Sequence, residues 1–279
     1  QRVSVRWAAP LSTVFLLGLF GCARTVDVSP GRHINPAPTG TSGRGSIQPE
    51  AETRISRNGL RTNGTVHAPP MAAVTPQMIR HLASGDRSIA LTFDACQTQK
   101  PAGYDAAIIH ILRETHTPAT LMLGGRWMET HPDATRDLGS DSLFELGSHS
   151  YLHPHMKGLS RERIVEELQR TQDVMYRLTG KQGTLFRPPY GEYDENLVRT
   201  AGEMGLRCML WNLVTGDPDR HVTANAILRA VHAEARPGSI IIMHVNGRGW
   251  HTAEALPAVI HDLRAQGYRF VKVSEALPP

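Results

Sequence analysis

The chain has 279 residues, with 30 Lys and Arg against 26 Asp and Glu, so its formal net charge is +4 at pH 7. Lysine is scarce and the arginines form no concentrated basic stripe, which argues against nucleic acid as a partner. This mild positive charge is compatible with an affinity for an anionic cell-wall polymer.

Residues 1–22 have the pattern of an export signal. Arg2 and Arg6 precede an apolar run that is too short for a comfortable membrane span. The run ends in a Leu-Phe-Gly-Cys sequence that closes at Cys22 and resembles the lipobox of bacterial lipoproteins. A plain signal peptide with an incidental cysteine is the alternative. We expect Cys22 to be lipidated, which would anchor the protein to a membrane on the extracytoplasmic side, facing the periplasm or at the cell surface.

Residues 23–72 are rich in Pro, Gly, Ser, Thr and Arg, and we expect them to form a flexible linker. Residues 73–279 are enough for one domain, in which apolar runs alternate with amphipathic segments. The predicted strands are residues 88–93, 119–123, 143–147, 184–186, 206–212, 239–244 and 268–272, and the clearest predicted helices are 160–179, 194–204 and 252–266. Such alternation predicts a parallel sheet with helices outside it, either open or closed into a barrel.

Titratable residues follow several of the predicted strands. Asp94 and His244 each end an apolar run, and His149 and His153 form a pair just before Pro154. Two converging neutral imidazoles supply most of a metal site, and a residue before proline avoids helical geometry. Each residue also has an ordinary interpretation, such as a helix cap for Asp94. Because active sites of such folds gather at the carboxyl ends of strands, the joint pattern favours a site.

Five segments of the chain carry a resemblance to a known family. Residues 89–94, 149–154, 186–191, 211–217 and 239–244 resemble, in this order, the five motifs of the polysaccharide deacetylases, carbohydrate esterase family 4. The resemblance covers nearly all of the predicted domain. It implies the fold class of that family, α/β, with an irregular (β/α) barrel of about seven parallel strands. It also implies hydrolysis of an acetamide, which needs an activated water, a base, an oxyanion stabiliser and an acid.

The resemblance implies a catalytic role for five residues. Asp94 would be the general base and would pair with Arg187. His244 would be the general acid, oriented by the carboxylate of Asp217. The backbone N–H of Tyr190 would help to stabilise the oxyanion. The ordinary alternatives are a surface position beside a turn for Arg187 and a purely structural turn at Tyr190.

The resemblance also implies a metal and a substrate pocket. His149 and His153 would bind a divalent metal, for which ligand softness favours zinc. Trp211 and Ile242 would line the pocket for the acetyl methyl group. Trp250 lies in a glycine-rich loop after the last motif, where its ring could stack on a sugar or fold back onto the core.

Ala95 departs from the family pattern, which usually has a second Asp there to complete an Asp-His-His metal triad. An alanine methyl group cannot bind a metal. Three outcomes are open: Asp94 binds the metal, a water or a nearby side chain completes the coordination, or the metal is lost. Cys96 would face the same side of an extended strand as Asp94, although a lone cysteine is more often a small buried hydrophobe. Pro218 is a second departure, because the family often has Trp beside the Asp of this motif.

The sequence therefore predicts a metal-dependent hydrolase that removes N-acetyl groups from an N-acetylated cell-wall or extracellular polysaccharide. Peptidoglycan, a chitin-like oligomer and poly-N-acetylglucosamine all present the same acetamide, and the sequence does not choose between them. One alternative is a catalytically degenerate glycan-binding lipoprotein, and another is an esterase that removes O-acetyl groups. We expect Cys96 and Cys208 to be two separate thiols.

Overall fold

Strands and helices alternate along the part of the chain that the computed structural model describes, namely residues 61–62, 65–83, 86–97 and 103–277. The strands are β1 (Arg61–Thr62), β2 (Thr65–Val66), β3 (Met78–Ile79), β4 (Ser88–Ala95), β5 (Ala119–Leu123), β6 (Phe144–Ser148), β7 (Leu185–Phe186), β8 (Arg207–Met209), β9 (Leu213–Val214), β10 (Ile240–His244) and β11 (Arg269–Phe270). The α-helices are α1 (Ala106–Glu114), α2 (Gly125–Thr130), α3 (Pro132–Ser140), α4 (Arg161–Thr179), α5 (Glu195–Glu203), α6 (Ala224–Glu234) and α7 (Thr252–Ala265). The predicted signal at residues 1–22, with Cys22, lies outside the described residues, and none of the described helices could span a bilayer.

The strands from β3 onward form one sheet in which every pairing is parallel. Its order is β3-β8-β7-β6-β5-β4-β10-β9, and β11 also pairs with β4. β8 pairs with β7 and β9 pairs with β10, yet only residues 210–212 separate β8 from β9. This short stretch therefore connects β8, which lies beside the end strand β3, to β9 at the opposite end of the row. The predicted α/β class with an irregular (β/α) barrel is confirmed.

The predicted strand at residues 206–212 is wrong in its extent. Hydrogen-bonded pairing stops after Met209 and resumes on a different neighbour at Leu213. In between, Leu210 N–H donates to the carbonyl of Ile79, and Asn212 N–H donates to the carbonyl of Ile240. The chain crosses here from β8, which pairs with β3 and β7, to β9, which pairs with β10, so residues 206–212 cannot form one continuous strand.

β4 lies at the centre of the sheet and is buried on both faces, which explains its almost continuous apolar sequence. One face packs in the main hydrophobic cluster beneath α1 and α7 through Ile89, Leu91, Phe93 and Ala95. The other face carries Ala90, which packs in a second cluster, and then Thr92 and Asp94. The strand therefore ends with Asp94 on the inner face and with Ala95 on the outer face.

α4 confirms the predicted helix at residues 160–179 and also supports the loop before it. The Ser160 side chain accepts a hydrogen bond from the N–H of Arg163, and Gly180 ends the helix with a left-handed φ of 70°. Glu167, buried on this helix, accepts hydrogen bonds from the N–H groups of Tyr151 at 2.8 Å and Leu152 at 2.9 Å. The helix thereby fixes the backbone of the loop that carries the paired histidines.

The end of the predicted linker belongs to the fold instead. β2 pairs with β1, and Ala68, which follows β2, is buried. Its N–H donates to Asp173 Oδ1 on α4 at 2.8 Å, and the Nδ1 atom of His67 lies 2.8 Å from the other oxygen of that carboxylate. The Asp173 carboxylate thus binds His67 and Ala68, two residues that composition alone assigns to a flexible linker. The folded domain therefore begins before residue 73.

Candidate active site

Four strands bring the predicted site residues to one edge of the sheet. Asp94 and His244 are direct partners in the parallel ladder between β4 and β10. His149 directly follows β6, and Arg187 directly follows β7. Because the carboxyl ends of parallel strands meet at one edge, Asp94, His149 and His244 line a single cavity of about 270 Å³, and Arg187 is buried behind Asp94.

Asp94 and Arg187 form a buried ion pair at the base of this cavity. Arg187 is 0% exposed, and its Nη1 donates to Asp94 Oδ1 at 2.5 Å. Its Nη2 donates to Thr92 Oγ1 at 2.8 Å, and the guanidinium lies 5.4 Å from the centre of the Trp211 ring. Burial on its own would raise the pKa of Asp94, but the charge of Arg187 holds that pKa below its ordinary value. The carboxylate is therefore ionised and fixed in orientation.

His149 and His153 present neutral nitrogen atoms to the cavity. Nδ1 of His149 lies 2.8 Å from the carbonyl oxygen of Arg187, so this nitrogen carries the proton and Nε2 keeps its lone pair. The Nε2 atom lies 3.5 Å from Asp94 Oδ2. Burial lowers the pKa of both imidazoles, that of His153 to about 3, with a further contribution from the neighbouring His149. Both rings are therefore in the uncharged form that binds metals.

Cys96 completes a group of three possible metal ligands with these histidines. Its Sγ and one nitrogen of each imidazole all lie within 4.8 Å of one another. Ligand atoms of a tetrahedral zinc site are about 3.3–3.6 Å apart, so small side-chain movements would close the geometry. Ala95 lines no part of the cavity and packs on the outer face. The donor set of one thiol and two neutral imidazoles fits a divalent metal of the zinc type.

The two cysteines of the described domain are buried and unpaired, as expected. Burial raises the pKa of the Cys96 thiol to about 12, and the same cause raises the pKa of the Cys208 thiol to about 12. Only Cys96 reaches the cavity, since Cys208 packs in a hydrophobic cluster between α4 and α5. Both thiols are therefore buried, but the Cys96 thiol faces the polar groups of the cavity and the Cys208 thiol faces apolar side chains.

Asp217 holds His244 through two separate hydrogen bonds. Oδ1 lies 2.9 Å from the ring Nδ1 of His244, and Oδ2 accepts from the backbone N–H of the same residue at 2.7 Å. Thr252 Oγ1 donates to Oδ2 at 2.8 Å, and Thr215 Oγ1 donates to Oδ1 at 3.2 Å. This buried carboxylate fixes the ring so that its Nε2 is free to act in the cavity.

Thr215 and Thr252 were missed by the sequence interpretation. Thr215 carried a usable signal, because it lies two residues before Asp217 in the same motif and places a hydroxyl beside the carboxylate. Thr252 carried none, since it begins α7 beyond a glycine-rich loop whose path the sequence does not specify. Arg248 in that loop was also missed, and it lines the cavity.

Tyr190 lies at the mouth of the cavity in a strained backbone conformation. Its φ is 60°, and Ser150 and His153 in the facing loop also have positive φ values. Such left-handed conformations cost about 1–3 kcal/mol for residues other than glycine, and they cluster where function requires a particular shape. The Tyr190 ring packs between the rings of His153 and His155, with centroid separations of 4.6 and 4.1 Å.

The apolar wall of the cavity includes both residues predicted to line it. Trp211 and Ile242 contribute to the wall together with Val214 and Pro218. Trp250 is not part of the wall, and its side chain is 57% exposed. Its backbone N–H donates to the carbonyl of Asp217 at 3.3 Å, which holds the loop and leaves the indole outside.

Comparison with known proteins gives matches over most of the described domain. The family model described as polysaccharide deacetylase matches residues 81–209. The peptidoglycan-N-acetylmuramic acid deacetylase PdaA of Bacillus subtilis is 26% identical over 199 residues, 69% of this chain and 72% of that protein. The peptidoglycan-N-acetylglucosamine deacetylase of Bacillus cereus is 29% identical over 186 residues, 66% of each chain.

Similar solved structures include a protein described as a CE4 family pseudoenzyme, from Bacillus anthracis. Its wild-type structure superposes with a TM-score of 0.66 at 29% identity, covering 74% of this chain and 70% of that one. A mutant of the same protein, described as having restored enzymatic activity, superposes with a TM-score of 0.67 at 30% identity, covering 74% and 72%. The Bacillus anthracis protein is therefore described as a pseudoenzyme in its wild-type form and as active after mutation.

Proposed function

Since the chain belongs to the polysaccharide deacetylase family, we propose that it is a metal-dependent hydrolase that removes N-acetyl groups from an N-acetylated polysaccharide. The observation that carries this proposal is the convergence of two neutral histidines and two held titratable groups on one cavity. A glycan-binding protein has no need for a carboxylate and an imidazole that are each fixed by a buried partner.

The chain's own groups divide the reaction between them. A divalent metal bound by His149 and His153 would supply a Lewis acid that lowers the pKa of water and polarises the acetamide carbonyl. Asp94, held by Arg187, would accept the proton of the attacking water. His244, held by Asp217, would donate a proton to the departing amine nitrogen.

The cavity wall supports an acetyl group as the acyl part of the substrate. Trp211 and Ile242 offer apolar surface next to the titratable groups, and the Trp211 ring lies 5.4 Å from the buried guanidinium of Arg187. The backbone N–H of Tyr190 would add a hydrogen-bond donor to the oxyanion. A methyl group could lie against this wall, whereas a long acyl chain would extend out of the cavity.

Acetate release from a panel of polymers tests the proposal. Peptidoglycan, chitin oligomers and poly-N-acetylglucosamine are the N-acetylated candidates, and an O-acetylated xylan tests for the esterase activity. The two bacterial relatives are named for peptidoglycan, and for that reason we place peptidoglycan first. The proposal predicts acetate from at least one N-acetylated polymer, together with a free amine at the same residue. Acetate release from the O-acetylated polymer alone would contradict the N-deacetylase and support the esterase.

A second candidate is glycan binding without hydrolysis. It is favoured by Ala95, which removes the carboxylate that the family usually places at this position, and by the similar pseudoenzyme. Metal analysis separates the two candidates. About one transition metal per chain that is absent from a His149→Ala variant supports the hydrolase. A chain that binds no zinc and retains polymer in a pull-down supports the binding protein.

Attachment to a membrane is a separate proposal. We infer from the sequence at residues 1–22 that Cys22 carries acyl chains and that the domain acts on the extracytoplasmic side. In a bacterial host, the protein should fractionate with membranes and incorporate a labelled fatty acid. Cys22→Ser should abolish both, and an unchanged fractionation of this variant would contradict the lipid anchor.

A further inference from the structure

We propose that the Sγ atom of Cys96 is the third protein ligand of the metal and takes the place of the carboxylate that the family has at position 95. The inference rests on the proposed function, because it supplies the missing ligand of the same metal. It changes the chemistry of the site, since the donor set becomes one thiolate and two imidazoles.

The register of β4 decides which side chain reaches the metal. Ala95 packs on the outer face of the sheet, whereas Asp94 and Cys96 both line the cavity. The carboxylate of Asp94 is held by Arg187, so turning it to bind a metal would break a buried ion pair. Cys96 has no such ionic partner and lies close to both histidines. Its thiol can therefore bind a metal without breaking that ion pair.

Charge and softness both suit a thiolate at this point. A cysteine thiolate carries the same formal charge of −1 as the absent carboxylate, so the metal centre keeps the same net charge. Sulfur with two imidazoles is a donor set that favours zinc over magnesium, calcium or manganese. The substitution therefore preserves the electrostatics of the centre and narrows the choice of metal.

Cys96 is held in place from two sides. Asn246 Nδ2 donates to the Cys96 carbonyl oxygen at 2.8 Å and lies 3.5 Å from Sγ, close enough to donate to the sulfur as well. Gly124 approaches from the other side, and its N–H donates to the carbonyl of Ala95 at 2.8 Å. A Cβ on Gly124 would lie 3.4 Å from the Cys96 Cα. Partners that fix a ligand and donate to it raise metal affinity.

Cobalt substitution tests directly for a bond between the metal and a cysteine sulfur. The full chain is loaded with Co²⁺ and its absorption spectrum is compared with those of Cys96→Ser, Cys208→Ala and Cys22→Ser variants. A thiolate bound to cobalt gives an intense charge-transfer band in the near ultraviolet that imidazole and water do not give. The band should be present in the wild type and in the variants at positions 22 and 208, and it should disappear in Cys96→Ser. Zinc affinity of Cys96→Ser should fall by at least about tenfold.

The outcomes separate this inference from the proposed function. A wild-type chain that binds cobalt without the charge-transfer band overturns the cysteine ligand and leaves the metal hydrolase standing. A wild-type chain that binds neither cobalt nor zinc overturns both. A Cys96→Ser variant that failed to fold would not remove the test, because a band that persists in both Cys22→Ser and Cys208→Ala, and in the variant that combines them, leaves Cys96 as the sulfur donor.

Discussion

Asp94 and His244 are register partners in the parallel ladder between β4 and β10, so that one strand spacing separates the backbones of the proposed base and acid. Each side chain is held from behind, Asp94 by Arg187 and His244 by Asp217. The two groups thus approach the cavity from neighbouring strands with fixed orientations. An acetamide placed between them would meet a proton acceptor and a proton donor without rearrangement of the fold.

Replacing either group should remove most of the catalysis. Asp94→Asn and His244→Ala are each expected to lower kcat/KM for acetate release by at least about a hundredfold, the usual contribution of a positioned acid or base. His251→Ala is the matched control, because His251 pairs with Glu254 and lies outside the cavity wall. Thermal unfolding of each variant checks the fold. Acetate release that survives both substitutions would sink the assigned roles.

The ion pair between Arg187 and Asp94 should dominate local stability. Arg187→Met leaves an unpaired buried carboxylate and is expected to lower the free energy of unfolding by about 3–5 kcal/mol. Adding Asp94→Asn removes that charge, so the double variant should lose less than the sum of the two single variants. Urea unfolding of the four proteins gives the coupling energy. Strictly additive losses would mean that the two side chains act independently.

Thr252 is predicted to be a positioning residue that acts through Asp217. Thr252→Val keeps the shape of the side chain but removes the hydroxyl that donates to Oδ2 at 2.8 Å. Loss of a hydrogen bond to a charged group costs about 1.5–3 kcal/mol, and here we expect part of it to appear as lower kcat with KM unchanged. The pH profile of kcat is measured alongside, because general destabilisation would not change its shape.

A threonine outside the site provides the control for that experiment. The hydroxyl of Thr130 bonds only to carbonyls of α2 and to the neighbouring His131 ring, among the described residues. Thr130→Val should leave kcat and its pH profile unchanged. An equal effect of both substitutions would assign the result to general destabilisation.

Gly249 should tolerate no side chain. A Cβ at this position would overlap the carbonyl oxygen of His244 and would lie 2.6 Å from Thr252 Oγ1 and 3.1 Å from Asp217 Oδ2. Gly249→Ala is therefore expected to displace Asp217 and to lower both kcat and the melting temperature. Gly103→Ala is the control, since its nearest contacts would be 3.7 Å or longer. Full activity of Gly249→Ala would show that the loop yields without disturbing the carboxylate.

The strands and the main titratable residues could be predicted because each leaves a local signature. β4 and β10 are apolar runs that end in Asp94 and His244, and α4 has a serine at its start and a glycine at its end. That several strand ends share one site could be expected from the alternation of strands and helices, but no local pattern specifies that β4 and β10 are neighbours. The position of Cys96 was left open since it depends on whether the extended backbone continues past Ala95.

Other features depend on contacts between distant parts of the chain. The docking of residues 65–72 relies on Asp173, which in sequence is one of many charges on an amphipathic helix. From its loop alone Trp250 could stack on a sugar or fold back onto the core, and its exposed indole contradicts only the second of these. Polar partners of this kind have no periodicity and therefore no sequence signal.

Residues 210–212 connect β8, beside the end strand β3, to β9 at the opposite end of the sheet, and Trp211 in the middle of this connection lines the cavity. The connection that brings β8 and β9 to opposite sides of the sheet therefore also supplies one wall of the cavity. A longer connection would move Trp211 relative to Ile242, so an insertion here would change the sheet and the cavity wall together.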